Sequence, residues 1–461
     1  MLFNSIDFAV FLVVVFSLYS ITSSQRLKIV ILLFSSLFFY AYWSAPHLLL
    51  VFISTFSVAW LGLRISSNSD ERRRKLYVSA GVALNLGILA VFKYFNFFVE
   101  VLSDMGSGYS FELSIALPLG ISFYTFQSVS YLIDVYRRKI EAEQNPISVL
   151  LYVAFFPQLV AGPIVRASEF LPQLKVAKRF NHDDLVWGFN RIVCGLLKKV
   201  VIADNIAVLV DPVYANPTAY SSGALLLATY AFAVQIFCDF SGYSDIAIGV
   251  ARIFGYRLNE NFNVPYISKS ITEFWRRWHI SLSSWLKDYL YIPLGGNRNG
   301  VVKTYRNLLI TMLLGGLWHG ASYNFIIWGA LHGSWLAIER WCGNHLSPRK
   351  YKSEVSHQFV KALKVVLVFH GVCVTWVFFR AATLEDALAI LYGIVSLSPG
   401  SSQAPFQIVW QLGLLLLVST FFTLFRFVAL ASWSWVILLS SAVTSVVLFG
   451  ASSSQFIYFV F

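Results

Sequence analysis

At 461 residues the chain is long enough for about three soluble domains, but its composition excludes them. Hydrophobic residues make up 57% and charged residues 13%, against about 25% charged in soluble folds. Mean hydropathy of +0.66, with 41 Phe, 23 Tyr and 14 Trp, makes lipid the main solvent, so the expected fold class is an all-α polytopic membrane protein. A net charge of +12 would suit nucleic acid in a soluble protein. Here the cations sit in short loops between apolar runs, the pattern of cytoplasmic loops, and nucleic-acid binding is set aside on that ground.

A bilayer-crossing helix needs about 20 apolar residues. The first expected spans are 8–22, 27–43, 47–63 and 76–101. The N-terminus has neither a basic leader nor a small-residue cleavage site, so the first run reads as a retained span. Loops carrying Arg26 and Lys28, Arg64 to Lys75, and Arg137–Arg138–Lys139 are basic, while loops 44–46 and 103–112 hold no Lys or Arg. This alternation places Met1 outside and the basic loops in the cytoplasm. Between 117 and 166 the apolar runs are interrupted by Pro118, Gly120, Pro157, Gly162 and Pro163. Such breaks at membrane depth survive only where protein or a wet cavity satisfies the backbone, so broken or re-entrant helices around a cavity are expected. The basic stretch 166–179 follows, assigned to the cytoplasm. Further spans are expected at 185–210, 225–254, 307–317, 323–341, 365–379, 409–427 and 433–448. No repeat period emerges, and 1–461 reads as a single membrane domain.

Ionisable residues at membrane depth are functional candidates by default, and they gather between Gln235 and His332. The run QIFCDFSGYSD from Gln235 sets Asp239, Ser241, Tyr243, Ser244 and Asp245 in an apolar span. On one helix Asp239 and Asp245 would point about 240° apart, and Gly242 is placed to break the helix between them. These carboxylates either tie helices together or line a polar tunnel. In SITEFWRRWHISLSSWLKDY from Ser270, Ser270 and Glu273 form a capping box. Continued as one helix to Tyr289, this segment would gather Phe274, Trp275, Trp278, Leu282, Trp285, Leu286 and Tyr289 within about 120° of arc, with Arg276, Arg277, Lys287 and Asp288 opposite. That is an interfacial helix, with His279 on its border. Finally, His319 and His332 lie in a strongly apolar stretch, each followed by Gly, with Gly315–Gly316 before the first. Glycine beside an imidazole admits a close backbone or a substrate, and a neutral imidazole is the form that takes a proton from a hydroxyl. The four cysteines, Cys194, Cys238, Cys342 and Cys373, form no CxxC and read as small apolar side chains. No His/Cys spacing suits zinc, and no metal is expected.

At these motifs the sequence resembles the membrane-bound O-acyltransferase family, in the bacterial branch of alginate O-acetyltransferases, peptidoglycan O-acetyltransferases and teichoic acid D-alanyl transferases. The resemblance is carried by MLFNSIDF at the start, LPLGISFYTFQSVSYLIDVYR from Leu117, FFPQLVAGPIVR from Phe155 and QIFCDFSGYSDIAIG from Gln235. It continues in NFNVPYISKSITEFWRRWHISLSSWLKDYLYIPLGGNR from Asn261, GGLWHGASYNFIIWGALHG from Gly315 and WVFFRA from Trp376. Family motifs thus span 1–381, leaving C-terminal helices in 382–461.

The resemblance implies a ring of about 11–13 transmembrane or re-entrant helices around a central funnel. Its catalytic histidines map to His319 in the WHG motif and His279 in FWRRWH. The funnel lining is expected from Asp239, Ser241, Tyr243, Asp245, Trp275, Arg276, Trp278, Trp318, Asn324 and His332. The implied activity is O-acetyl transfer from cytoplasmic acetyl-CoA to an exported polysaccharide, alginate-like or a cell-wall glycan, with a periplasmic acetyltransferase or acyl-carrier partner. The implied setting is a bacterial inner membrane, with the N-terminus periplasmic. Arg276, Arg277, Lys287 and Arg298 are candidate contacts for donor phosphates, or else ordinary positive-inside residues. Two alternatives stand beside this: D-alanyl transfer from a carrier protein to a teichoic acid-type acceptor, and a non-enzymatic transporter or flippase, which would commonly show an internal repeat.

Overall fold

The computed structural model describes residues 1–107, 116–160, 162–345, 354–397 and 399–400; the expected spans 409–427 and 433–448 lie outside them. Among the described residues the protein is all helix, and five helices are long and apolar enough to cross a bilayer: Gln25–Ser44, Leu48–Ser66, Glu71–Gly106, Ser222–Ile253 and Ser356–Arg380. The protein is an all-α, multi-pass membrane protein. It divides into two compact units, Met1–Ile192 with Tyr243–Asn259, and Val193–Gly242 with Glu260–Phe461.

In the first unit, polar caps start the helices where the sequence offers them. Ser5 caps Ile6–Ile21 by accepting from the Phe8 N–H, Asp70 caps Glu71–Leu89 through the Arg72 N–H, and Asn145 caps Pro146–Ala154, whose proline occupies the first turn. Lipid gives apolar helices no reason to associate, so small and polar residues must hold them. They do so around Ile121–Tyr136, a helix buried over nearly its whole length. Ser54 Oγ donates to Asn85 Oδ1 at 2.6 Å and lies 2.9 Å from Ser128 Oγ, tying three helices together. The Gly62 site lies against the Tyr131 ring. The interrupted region is resolved into Ile121–Tyr136, Pro146–Ala154 and the short Phe156–Leu159 helix, all packed inside. Gly120 begins the first of these at φ +69°, and a side chain there would collide with the Leu159 carbonyl.

Two features of the second unit depart from expectation. Ser222–Ile253 runs unbroken through Gly242. A β-carbon at 242 would lie 2.8 Å from the Gly195 carbonyl oxygen and 3.1 Å from the Lys199 nitrogen, so this glycine serves close backbone approach rather than helix termination. The segment expected as one helix over 270–289 is instead two, Ile271–Arg277 and Ile280–Leu286, followed by a wide π-turn at Lys287–Tyr291. Trp278 is extended and His279 takes the left-handed conformation at φ +41°, ψ +55°. That conformation is costly for a residue with a β-carbon, and the surrounding bonds hold it: the Asn261 carbonyl accepts from the Ile280 N–H at 2.9 Å, and the Arg277 carbonyl from the Asn263 N–H at 2.9 Å.

Val301–His319 and Tyr323–His345 form a tight hairpin of helices. Gly316 and Gly320 face Phe325, Gly329 faces the Met312 carbonyl, and Gly333 the Leu309 backbone, so a β-carbon at any of the four would overlap or crowd the opposite helix. Gly316, Gly329 and Gly333 therefore admit backbone, and Gly320 admits the Phe325 ring.

Candidate active site

The three histidines of the second unit share one row of rings. The His279 ring lies 4.6 Å edge-on from Phe240 and 5.8 Å from Trp318; Trp318 lies 4.9 Å from His319. From His319 the row continues to Trp328 at 5.0 Å, then His332 at 4.6 Å, then Trp275 at 5.2 Å. Phe379, 5.1 Å from His319, closes its far side. His279 and His332 are fully buried and His319 is 3% exposed. Edge-to-face ring pairs contribute about 0.5–1.5 kcal/mol each beyond area burial, so each imidazole is fixed in orientation as well as position.

Hydrogen bonds assign opposite tautomers to two of these rings. Asn261 Oδ1 accepts from the Ser281 N–H at 3.2 Å and the Ser281 hydroxyl at 2.9 Å, which identifies it as oxygen; at 3.1 Å from His279 Nδ1 it accepts there too. His279 therefore carries its proton on Nδ1, leaving Nε2 as the basic nitrogen. His332 is the reverse. Its Nδ1 accepts from the Trp275 indole N–H at 3.3 Å, so Nε2 bears the proton and donates to Thr375 Oγ1 at 3.0 Å, which donates to the Val372 carbonyl at 2.7 Å. Both nitrogens of His332 are engaged within the protein.

The remaining predicted residues divide. Trp278 stacks on Phe274 and touches Trp376, and Asn324 Nδ2 donates to the Ala381 carbonyl at 2.9 Å. Asp239 lies 2.7 Å from Lys199 Nζ, which also meets Asp204 at 2.7 Å, all three sealed from solvent. Ser241 is buried on the same helix. Tyr243 and Asp245 belong to the first unit, where Tyr243 stacks on Phe3 and Asp245 Oδ1 accepts from Arg191 at 2.6 Å. Both carboxylates are thus tied to cations on neighbouring helical segments, the first of the two readings the sequence left open.

Within the second unit, a cavity of about 680 Å³ is lined by Trp275, Arg276, Lys287, Arg298 and Arg340, with Thr272, Ser283, Ser284 and Thr311 among its polar atoms. No carboxylate lines it, and none of the four cations has a carboxylate partner among the described residues. Arg277 is spoken for: it pairs with Glu273 at 2.9 Å and donates to the Asn263 carbonyl. The Lys269 N–H, with Arg277, holds the Glu273 carboxyl below its ordinary value. Ser270 accepts from the Glu273 N–H at 3.0 Å, as the capping box requires. Neither His279 nor His319 lines the cavity; Trp275 forms part of its wall and reaches Trp328, which touches His319. Sequence reading missed Arg340, Asn261 and the Lys199 and Arg191 partners. Arg340 looked like one more cation at a helix end, and the others lie 18 to 54 residues from the groups they hold.

Residues 139–380 match the membrane-bound O-acyltransferase family. The probable alginate O-acetylase AlgI of Pseudomonas aeruginosa is 46% identical over 84% of this chain and 73% of its own length. The peptidoglycan O-acetyltransferase of Helicobacter pylori is 39% identical, over 80% and 73% respectively. The teichoic acid D-alanyltransferase of Bacillus subtilis is 34% identical over 55% of this chain and 66% of its own.

Proposed function

The chain belongs to the membrane-bound O-acyltransferase family, and from that premise we propose that it is an O-acetyltransferase moving acetyl groups from cytoplasmic acetyl-CoA to an exported polysaccharide. The reading takes the whole chain as one membrane enzyme in a bacterial inner membrane, with the N-terminus periplasmic. The observation that carries it is the cavity whose wall holds Arg276, Lys287, Arg298 and Arg340 and no acid. Guanidinium and ammonium groups without internal partners suit the phosphates of coenzyme A, and the apolar wall of Trp275, Ile280 and Leu286 suits its aliphatic arm.

His319 then acts as general base. It takes the proton of an acceptor hydroxyl, the alkoxide oxygen attacks the thioester carbonyl carbon, and the carbon–sulfur bond breaks. The CoA thiolate leaves and receives the proton from the imidazolium. The ring row around His319 excludes water that would compete as acceptor. His279 Nε2, with its ring held by Asn261, is the second basic nitrogen in the cluster. The greater similarity to the alginate and peptidoglycan O-acetyl enzymes than to the D-alanyl transferase favours acetyl, and a polysaccharide of the alginate or cell-wall kind as final acceptor. A periplasmic partner would complete delivery. The deciding experiment offers purified protein radiolabelled acetyl-CoA and, separately, a D-alanyl-loaded carrier protein. Release of free CoA with label transfer from the first is expected; turnover of the second alone would replace the acetyl reading by the aminoacyl one.

A further inference from the structure

The first unit carries a second basic concavity, of about 690 Å³, at the loop between Ala167–Lys175 and His182–Leu196. Lys178, Arg179, His182 and Arg257 line it, with Asp184 as its one carboxylate. Asp184 is already bonded to Arg252 Nε at 2.5 Å, and Lys178, Arg179 and Arg257 have no carboxylate partner among the described residues.

The loop is held in shape by side chains from elsewhere in the unit. Gln173 and Arg257 exchange two bonds, Arg257 N–H to Gln173 Oε1 at 2.9 Å and Gln173 Nε2 to the Arg257 carbonyl at 3.0 Å. Gln25 accepts from the Lys178 N–H at 2.9 Å and donates to the Leu174 carbonyl at 3.2 Å. The buried Lys28 donates to the Lys178 carbonyl at 2.7 Å. Gly255, at φ +81°, turns the chain after Ser222–Ile253 so that the Lys178 stem packs on it, and Lys178 Nζ sits 4.9 Å over the Tyr256 ring. Burial and the neighbouring Arg257 push the Lys178 ammonium below its ordinary value. A fixed backbone thus crowds like charges that an anion would relieve. Val176 and Phe180, beside the cations, are 59% and 61% exposed. In a membrane protein, exposed apolar side chains interleaved with cations mark the headgroup–acyl boundary.

We propose that this concavity is a binding site for one anionic phospholipid, its headgroup phosphate held by Lys178, Arg179 and Arg257 and its acyl chains laid over Val176 and Phe180. The site is independent of the acyl-transfer reading.

The test is native mass spectrometry of the full-length detergent-purified chain, titrated with phosphatidylglycerol or with phosphatidylcholine. At least tenfold preferential retention of one phosphatidylglycerol is expected, falling to the phosphatidylcholine level in a K178Q/R257Q double variant and unchanged in R72Q/R73Q. Arg179→Gln, on an exposed side chain whose loss leaves the packing intact, should lower retention about threefold by charge loss alone. Equal retention of both lipids, or unchanged retention in both the double and the Arg179→Gln variants, overturns the proposal. Displacement of the lipid by millimolar inorganic phosphate overturns the lipid as ligand in favour of a free anion, and displacement by acetyl-CoA reassigns the concavity to the donor.

Discussion

Lys199 meets Asp204 and Asp239 at 2.7 Å each with all three side chains sealed from solvent, whereas His279, His319 and His332 are enclosed almost entirely by rings. Both clusters bury polar chemistry in the second unit. In the first, one ammonium is shared by two carboxylates, and the geometry of every member is set by another's charge. In the second, the groups are packed as rings, and their orientation comes from edges, faces and single hydrogen bonds. Buried opposite charges hold helical segments together; the imidazoles are held by rings. The difference separates charge-held from ring-held polarity among residues that look alike in sequence.

Four changes would break or sharpen that separation. His319→Ala should lower acetyl transfer about a thousandfold, within the range for a general base, while the protein elutes as folded from detergent gel filtration; near-normal turnover would remove the central base. Asp239→Ala should instead act on folding, with a loss of about 1.5–3 kcal/mol from the lost charge-assisted bond to Lys199, read as a fall in folded yield and thermal midpoint. If the Asp239→Ala protein were stable but inactive, the carboxylate would belong with the chemistry. Arg276→Gln with Arg298→Gln should raise the KM for acetyl-CoA about tenfold with kcat little changed, a smaller effect because exposed cations are screened; added salt should weaken the wild type toward the variant. Thr375→Val should cost about 1–2 kcal/mol by stranding the Nε2–H of His332, with transfer per folded molecule unchanged. Lost turnover without lost stability would move His332 from support to participation.

Among the described residues the spans were legible because a bilayer imposes a length on apolar helices. The helix start at Ser270 was legible because its cap lies within four residues. The break at His279 was not: the 3.6-residue apolar pattern runs straight across it, and the bonds that hold the left-handed turn come from Asn261 and Asn263, 18 and 16 residues back. Gly242 reads as a breaker from the chain alone, since the Gly195 carbonyl that requires it lies on another helical turn. His319 stood out by its apolar setting and its flanking glycines. His332 shared both signals, and its engagement by Trp275 and Thr375, 57 and 43 residues away, is visible only in three dimensions.

The π-turn at Leu197–Ala203, which carries Lys199, has a consequence for how this protein tolerates change. Such a turn holds one residue more than a regular helical turn, so a single-codon deletion there would restore the ordinary winding. Positions five apart across the π-turn would then stand four apart on an α-turn, so residues beyond the deletion would keep their facing relative to those before it. Lys199 and Asp204, five apart on the π-turn, would become an i,i+4 pair on the same face. Between these two positions, chain length is therefore more forgiving than the identity of the paired residues, and a single-residue deletion should pass where substitution of Lys199 fails.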